Sequence, residues 1–117
     1  AIAAIDPLAD VITPFPGGVT RSGSKVGSKY KSLIASTNDA YCPALRGVTD
    51  SSLSDKENAV LEVVLDGLSF SSIANAMRVG IQAACSSCGD DGLIAVTAGN
   101  YGGKLGRHHF HLHEILA

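Results

Sequence analysis

One segment limits the possible folds more than any other: residues 69–89, SFSSIANAMRVGIQAACSSCG. Ser69 or Ser71 is the expected N-cap, because a serine oxygen can accept a hydrogen bond from a free N–H of the first helical turn. Gly89 and Gly92 are expected to end the helix. The spacing predicts one long helix with a small, apolar face that can pack closely on a sheet, made by Ile73, Ala76, Met77, Gly80, Ile81, Ala84 and Cys85.

Short apolar runs before and after this helix predict strands. The clearest run is NAVLEVVLDG at 58–67, which is rich in valine and leucine and closes on a glycine. Pro14 and Pro16 restrict VITPFPG to an edge strand or an extended segment, because proline cannot donate to a sheet ladder. Three further runs predict strands, KSLIAS, LIAVTAG and RHHFHLHEIL, at 31–36, 93–99 and 107–116.

The order of these segments predicts the fold class. The chain opens on what reads as a helix end, with a stop near Asp6 because Pro7 disfavours helix at the residue before it. After residue 57 the order is strand, helix, strand, strand, and the first half adds two strands. A helix beside a mostly antiparallel sheet gives an α+β fold. With 117 residues, the chain is expected to form a single domain over 1–117.

Composition excludes several classes of protein. The net charge of -2 and the pI of about 6.0 argue against nucleic-acid binding, which usually needs a strong basic excess. No apolar run reaches the roughly 18 residues of a membrane span, so no membrane partner is expected. The 3 cysteines are an odd number, which favours a reducing compartment over a disulfide framework. The cytoplasm is the expected location.

A basic, glycine-rich stretch, GGVTRSGSKVGSKYK at 17–31, is the first candidate site. Gly18 and Gly23 have the glycine spacing of a P-loop, but the following serine and lysine stand in the wrong order. A strand is expected after this stretch, so no helix N-terminus would face a phosphate. The stretch is then either a site for a carboxylate or polar ligand or a hairpin with solvated lysines. Residue types alone favour the hairpin.

Cysteines and histidines form two candidate metal sites. Cys85 and Cys88 make half of a zinc site, which Cys42 and a histidine would have to complete. The pair sits at the helix C-terminus, where the dipole does not favour a thiolate. On a strand, His109, His111 and His113 would share one face. Free thiols and a half-exposed strand explain both patterns, and no metal site is expected.

Glu62 is the most informative acid because it lies in the middle of the apolar run 58–67. On a strand it shares one face with Val60 and Val64, and the other face is apolar too. Desolvation favours the protonated form of a carboxyl group, which can then donate to a developing oxyanion. The alternative is an edge-strand glutamate that points to solvent or pairs with a lysine.

Three segments together resemble a known family. They are TPFPGGVTRSGSKVGSKYKSLIASTNDAYCPALRG, NAVLEVVLDGL, and TAGNYGGKLG with FHLHEIL after it. The amino-acid sequences of these segments and their order resemble the distal, C-terminal lobe of the formylmethanofuran:tetrahydromethanopterin formyltransferase family. The resemblance spans nearly the whole chain, and PFPGG, SGSKVGSKY and AGNYGGKLG are its most specific motifs.

The resemblance implies formyl transfer between the amine of methanofuran and N5 of tetrahydromethanopterin, in methanogenesis or in bacterial formaldehyde oxidation. Both compounds would be substrates, with no tightly bound cofactor and no metal. The family uses a buried glutamate as proton donor, and the resemblance assigns this role to Glu62. It also implies that the glycine-rich stretch and AGNYGG contact either substrate or another subunit, and the substrate-binding candidates there are Ser24, Lys25, Ser28, Asn100 and Tyr101.

The same resemblance implies a partner. Family members are longer, have two α+β lobes that are each similar to a ferredoxin-like fold, and form homotetramers. The chain is therefore expected to be a ferredoxin-like antiparallel sheet with helices on one face that lacks its first strand and most of its first helix. The missing N-terminal lobe or a partner chain would complete it, and the chain alone would be inactive. The alternative is a non-catalytic lobe that supports assembly of a formyltransferase or formyltransferase/hydrolase complex.

Overall fold

The computed structural model describes residues 1–23, 41–45, 47, 51, 53–54, 56–88, 92–99 and 106–117. The chain divides into two compact units. The first unit consists of Ala1–Gly18 with Leu65–Ala117, and the second unit consists of Val19–Val64. None of the helices in the described part of the chain has the length and apolar character that a membrane span requires.

In the described part of the chain, one short helix comes first, four short strands follow, and two helices come last. Helices α1, α2 and α3 span Ile2–Ile5, Phe70–Cys88 and Leu112–Ile115, and strands β1 to β4 span Val11–Ile12, Val19–Arg21, Leu61–Val63 and Asp66–Gly67. A single 3₁₀ turn lies at Pro43–Leu45, and Pro16–Gly18 forms a tight turn in which Gly17 and Gly18 have positive φ. The α+β class with antiparallel strand pairing is confirmed, and the arrangement is consistent with a ferredoxin-like lobe.

Helix α2 confirms the strongest prediction from the sequence, and Ser69 is its N-cap. The Ser72 N–H donates to Ser69 Oγ at 3.1 Å, and the Ser69 N–H donates to Ser72 Oγ at 3.2 Å. This is a reciprocal cap in which a serine takes the place that glutamate usually holds at the third helical position. Two N–H groups at the start of the helix are thereby satisfied without a charged side chain.

Removing this cap has a calculable cost. We expect Ser69→Ala to lower the free energy of unfolding by about 1 kcal/mol, the usual value of a serine N-cap. Ser71→Ala is the matched control. The hydroxyl oxygen of Ser71 lies 3.1 Å from that of Ser69, but removing it leaves both capping hydrogen bonds in place. The control should stay within about 0.5 kcal/mol of the unsubstituted protein. Urea unfolding followed by circular dichroism measures both, and equal losses would contradict the assignment of Ser69.

The core of the first unit explains why α2 has a small-residue face. Ile5, Val11 and Ala76 are buried together, with Leu8 and Leu65 packed against them. Ala76 is fully buried, and a Cβ at Gly80 would lie 2.7 Å from Cδ1 of Ile5. The missing side chain at Gly80 therefore lets the Ile5 side chain of α1 pack directly on α2, and a larger residue there would have to displace Ile5 within a densely packed interior.

The run 58–67 does not form one strand, as the sequence predicted, but two. In β4, Asp66 and Gly67 pair antiparallel with β1, and the Leu68 N–H donates to the carbonyl of Asp10 at 3.1 Å. In β3, the pairing is instead with β2 of the second unit. The run is divided because its two halves pair with different strands. Both partner strands lie far away in the sequence, so the pairing cannot be predicted from the run itself.

The strand predicted at 107–116 near the C-terminus is wrong. Residues 107–116 contain helix α3, in which Leu112 and Ile115 face inward at helical spacing and Ile115 is 8% exposed. The Arg78 side chain holds the end of α3, since its Nε–H donates to the Ile115 carbonyl at 3.0 Å. Residues 93–99 have no strand partner within the described residues, and residues 31–36 lie outside them.

Candidate functional site

The candidate site lies on the two-stranded ribbon of β2 and β3. Thr20 pairs with Glu62 in its antiparallel register, and the flanking pairs are Val19 with Val63 and Arg21 with Leu61. Because side chains alternate along a strand, Thr20 and Glu62 share one face and the flanking pairs share the other. The ribbon extends one step beyond Arg21, where the Ser22 N–H donates to the Val60 carbonyl at 3.2 Å.

Glu62 is half-buried and is held by a serine that the sequence did not single out. The Ser22 hydroxyl donates to Oε1 of Glu62 at 3.0 Å. Ser22 is only 2% exposed, so this hydroxyl is sequestered from solvent. Since Ser22 lies two residues beyond Thr20, it projects from the same face as Glu62. The bond joins the described start of the glycine-rich stretch to the apolar run 58–67.

The opposite face of the ribbon corrects the environment expected for Glu62. Leu61 is 68% exposed, Val63 38% and Val19 41%, so these apolar side chains do not form a buried layer on that face. In β3 it is the acid that is more buried than the two apolar residues beside it. Burial of Glu62 therefore comes from its own face of the ribbon, where Ser22 is its buried partner.

The remaining predicted site residues are not tested by the structure. Ser24, Lys25, Ser28, Asn100 and Tyr101 all lie outside the described residues. Ser22 was missed because its contact with Glu62 depends on the register between β2 and β3, and the two residues are 40 positions apart. The position of Ser22 directly before the GSK repeat was the one available signal.

The candidate metal sites have the following geometry. Cys85 and Cys88 are exposed free thiols at the end of α2, and Cys42 is a buried free thiol. His111 and His113 are not on one strand face, because α3 begins at Leu112, and their ring centroids are 5.9 Å apart. Nε2 of His109 is buried without a hydrogen-bond partner among the described residues. Within the same part of the chain, no three ligand-type side chains converge.

A mostly apolar cavity of about 290 Å³ lies in the first unit, and no carboxyl side chain is among the described residues that line it. Apart from the Cys85 thiol, its lining side chains have no group that exchanges protons near neutral pH. The cavity is therefore a poor place for acid–base chemistry. Its lining residues are Ile81, Cys85, Leu93, Ile94, Ala95, Val96, Leu112 and Leu116.

Comparison with known proteins identifies the family. A family model described as the FTR proximal lobe matches residues 1–115. This chain belongs to the FTR proximal-lobe family. The expectation of a distal lobe is therefore wrong, because the shared motifs identify the family but do not show which of its lobes the chain is.

Curated relatives agree with this family. The chain is 66% identical over 117 residues to formylmethanofuran–tetrahydromethanopterin formyltransferase of Rhodopirellula baltica, covering 100% of this chain and 35% of the relative. It is 47% identical over 118 residues to the protein of the same name from Methanothermus fervidus, covering 99% of the chain and 39% of the relative. The chain thus spans well under half of the length of these relatives.

A solved structure has the same fold. The formyltransferase/hydrolase complex of Methylorubrum extorquens, determined with methylofuran, contains a chain with 50% identity and a TM-score of 0.83. The match covers 99% of this chain and 38% of that one. At this identity and score, the FTR proximal lobe described here and its counterpart share one architecture.

Proposed function

We propose that this chain is one lobe, over residues 1–117, of an enzyme that transfers a formyl group between formylmethanofuran and N5 of tetrahydromethanopterin. The relatives that the chain matches over its whole length carry this activity in their names. Both compounds act as substrates, and no tightly bound cofactor takes part. The relative solved with methylofuran supports a furan amine as one of the two substrates.

The reaction needs positioning and one well-placed proton donor. In one direction, N5 attacks the formyl carbon, a C–N bond forms, and negative charge develops on the formyl oxygen. The tetrahedral intermediate then collapses, the bond to the methanofuran nitrogen breaks, and the proton lost from N5 ends on the leaving amine. Stabilising the oxyanion and placing the two amines are the main catalytic tasks in such a transfer.

Glu62 is the group that we assign to the proton-donating role. The single observation that supports it is the hydrogen bond between Ser22 and the half-buried Glu62 carboxyl group, because it ties together two of the three segments that carry the family resemblance. Ser24, Lys25, Ser28, Asn100 and Tyr101 are proposed as substrate-binding residues, since their hydroxyl, ammonium and amide groups can bind polar parts of the substrates.

The proposed partner is the rest of the formyltransferase, present as a further lobe or a separate chain, within a homo-oligomer. The relatives are longer than the matched part, and the chain covers 35% of the Rhodopirellula baltica protein. Val19, Leu61 and Val63 are exposed apolar residues on one face of β2 and β3, which also carries Arg21. Apolar patches of this kind mark interaction surfaces, and we assign this one to the remaining lobe. A reducing, cytoplasmic setting fits the 3 free cysteines.

The same apolar face supports a second candidate function, in which the chain is a structural lobe for assembly and chemistry occurs elsewhere. The two functions differ in what Glu62 does. An assembly lobe needs Val19, Leu61 and Val63 but not the carboxyl group, whereas the enzyme needs both. An activity assay on the assembled protein separates them.

The test supplies the remaining lobe in trans. The chain is produced together with the unmatched part of the Rhodopirellula baltica relative, and transfer of the formyl group to tetrahydromethanopterin is followed by absorbance. We expect transfer by the assembled pair and none by either part alone. Size-exclusion mass confirms that both parts are present. An assembled pair without transfer would contradict the enzyme and favour the assembly lobe.

A further inference from the structure

We propose that Cys85 and Cys88 form a redox pair at the end of α2, whose thiols join in a disulfide when small disulfides accumulate and separate when small thiols are restored. Both cysteines are free and exposed, and they are the fourth-last and the last residue of α2. The molecule that reacts here is a low-molecular-weight disulfide such as oxidised glutathione. The proposal goes beyond formyl transfer and does not depend on it, because neither cysteine belongs to the ribbon of β2 and β3.

The helix holds the two cysteines at a spacing that a disulfide can bridge. Residues three apart in an α-helix are neighbours on one face, and helix geometry places their Cα atoms about 5 Å apart. Disulfides join Cα atoms that are about 4.4–6.8 Å apart. The Cβ atoms of such neighbours are roughly 1 Å farther apart than in a disulfide, so one residue must shift slightly. Cys88 can shift because it ends the helix, where the backbone frays.

The surroundings of the redox pair favour a sensor over a catalyst. Catalytic thiols lie where a helix N-terminus or a cationic side chain stabilises the thiolate. This pair lies at the opposite end of a helix, and the last turn of α2 contains no basic residue. Uncatalysed exchange of this kind takes minutes to hours. An exposed, slightly strained disulfide is also easier to reduce than a structural one, so the pair stays open in a reducing setting and closes only under oxidising conditions.

Closing the bridge takes two exchange steps in which atoms and electrons balance. One protein thiolate attacks a sulfur of the small disulfide, whose S–S bond breaks, and the first small thiol leaves with the electron pair and takes up a proton. The second protein thiolate attacks the protein sulfur of this mixed disulfide, the bridge forms, and the second small thiol leaves in the same way. Two protein thiols are thereby oxidised by two electrons, which reduce one small disulfide to two thiols.

The bridge also orders the end of α2. Cys85 lines the mostly apolar cavity together with Leu112 of α3, so it belongs to a wall that both helices share. Cys88 is not among the described residues that line the cavity, and it ends the helix. A disulfide ties this terminal residue to one in the cavity wall and removes open states of the last turn, which is how a cross-link opposes unfolding.

The experiment equilibrates the assembled protein for several hours with reduced and oxidised glutathione at a series of ratios. Free thiols are then alkylated under denaturing conditions, and tryptic peptides are weighed by mass spectrometry. Cleavage after Arg78 and Lys104 leaves both cysteines of the pair in one peptide and Cys42 in another. We expect the first peptide to lose both alkylation sites together as the oxidised form increases, and to regain both in excess reduced glutathione. Fewer than about one in ten chains should carry glutathione there, because the second thiol is held beside the mixed disulfide.

Variants separate the bridge from general thiol oxidation. Cys85→Ser and Cys88→Ser each leave one thiol of the pair, which should retain bound glutathione because no neighbour displaces it. Ser87→Ala is the matched control, since it changes an exposed residue between the two cysteines and keeps both thiols. Its glutathione ratio at half-oxidation should stay within about twofold of the unsubstituted protein. Cys42 is an internal reference, because this thiol is buried and should remain free for alkylation after denaturation.

Hydrogen exchange measures the effect on the helix. We expect amides in the last turn of α2 to exchange about tenfold more slowly in the bridged protein than in the reduced one. The double variant Cys85→Ser/Cys88→Ser should show no dependence on the glutathione ratio. The proposal is overturned by free thiols or persistent mixed disulfides at the most oxidising ratio, by a disulfide to Cys42 or to a second copy, or by equal exchange rates in the bridged and reduced proteins.

Discussion

Glu62→Gln is expected to lower kcat for formyl transfer by about 10²- to 10³-fold, within the range that general acid catalysis contributes. Glutamine has nearly the same shape as glutamate, but it cannot give up a proton to the formyl oxygen or to the leaving amine. Its amide oxygen can still accept the hydrogen bond from Ser22, so the ribbon of β2 and β3 should stay intact. The measurement is the absorbance assay on the assembled protein, with size-exclusion mass to confirm assembly.

Glu114→Gln is the control for this substitution. Its side chain is 69% exposed on α3 and lies 3.8 Å from a histidine nitrogen, so it removes the same chemical group from a position outside the ribbon. We expect its kcat to stay within about twofold of the unsubstituted protein, because exposed pairs of this kind contribute little. A Glu62→Gln protein that assembles and transfers formyl groups at the full rate would show that Glu62 is not the proton donor.

Gly18→Ala is expected to lower the free energy of unfolding by about 3 kcal/mol, since strain and crowding act together. Gly18 has a φ of +83°, which L side chains rarely adopt. A Cβ there would also lie 2.6 Å from Cδ1 of Ile2 and 2.9 Å from both of its Cγ atoms. Turning the tip of Ile2 cannot relieve all three contacts, so α1 or the turn Pro16–Gly18 must shift.

Gly17→Ala separates the two causes. Gly17 has a φ of +74°, but a Cβ there would meet no atom within 4 Å. Only the backbone strain remains, and the expected loss is about 1–2 kcal/mol. Urea unfolding of the assembled protein, followed by circular dichroism, gives both values. If Gly18→Ala lowers the free energy of unfolding no more than Gly17→Ala does, the contact with Ile2 does not contribute to the cost.

The parts of the fold that could be predicted from sequence are those that local residues decide. Helix α2 follows from apolar spacing and from a serine N-cap, which act within a few residues of each other. The failures are at 58–67 and 107–116, where partners distant in sequence decide the outcome. The first run is divided between β1 and β2 as partners, and the second is helical because Leu112 and Ile115 pack inward with Arg78 at their end.

The candidate site shows the same division. Glu62 could be singled out from its position in an apolar run, because an acid there is unusual in itself. The contact with Ser22 could not be predicted, since a one-residue change of register would turn Ser22 to the other face of the ribbon. The exposure of Leu61 and Val63 also depends on which other residues pack against the ribbon. The apolar pattern of the run 58–67 does not predict those packing partners.

The cap of α2 has a consequence for how the protein responds to its medium. Ser69 and Ser72 satisfy each other's N–H groups with hydroxyl oxygens, and the first turn of α2 contains no acidic residue. Helix starts built on aspartate or glutamate weaken when acid protonates them and when salt screens their charge. The cap at the start of α2 has no group that titrates and no ionic charge to screen. Acid and ionic strength therefore leave the cap of this helix unchanged.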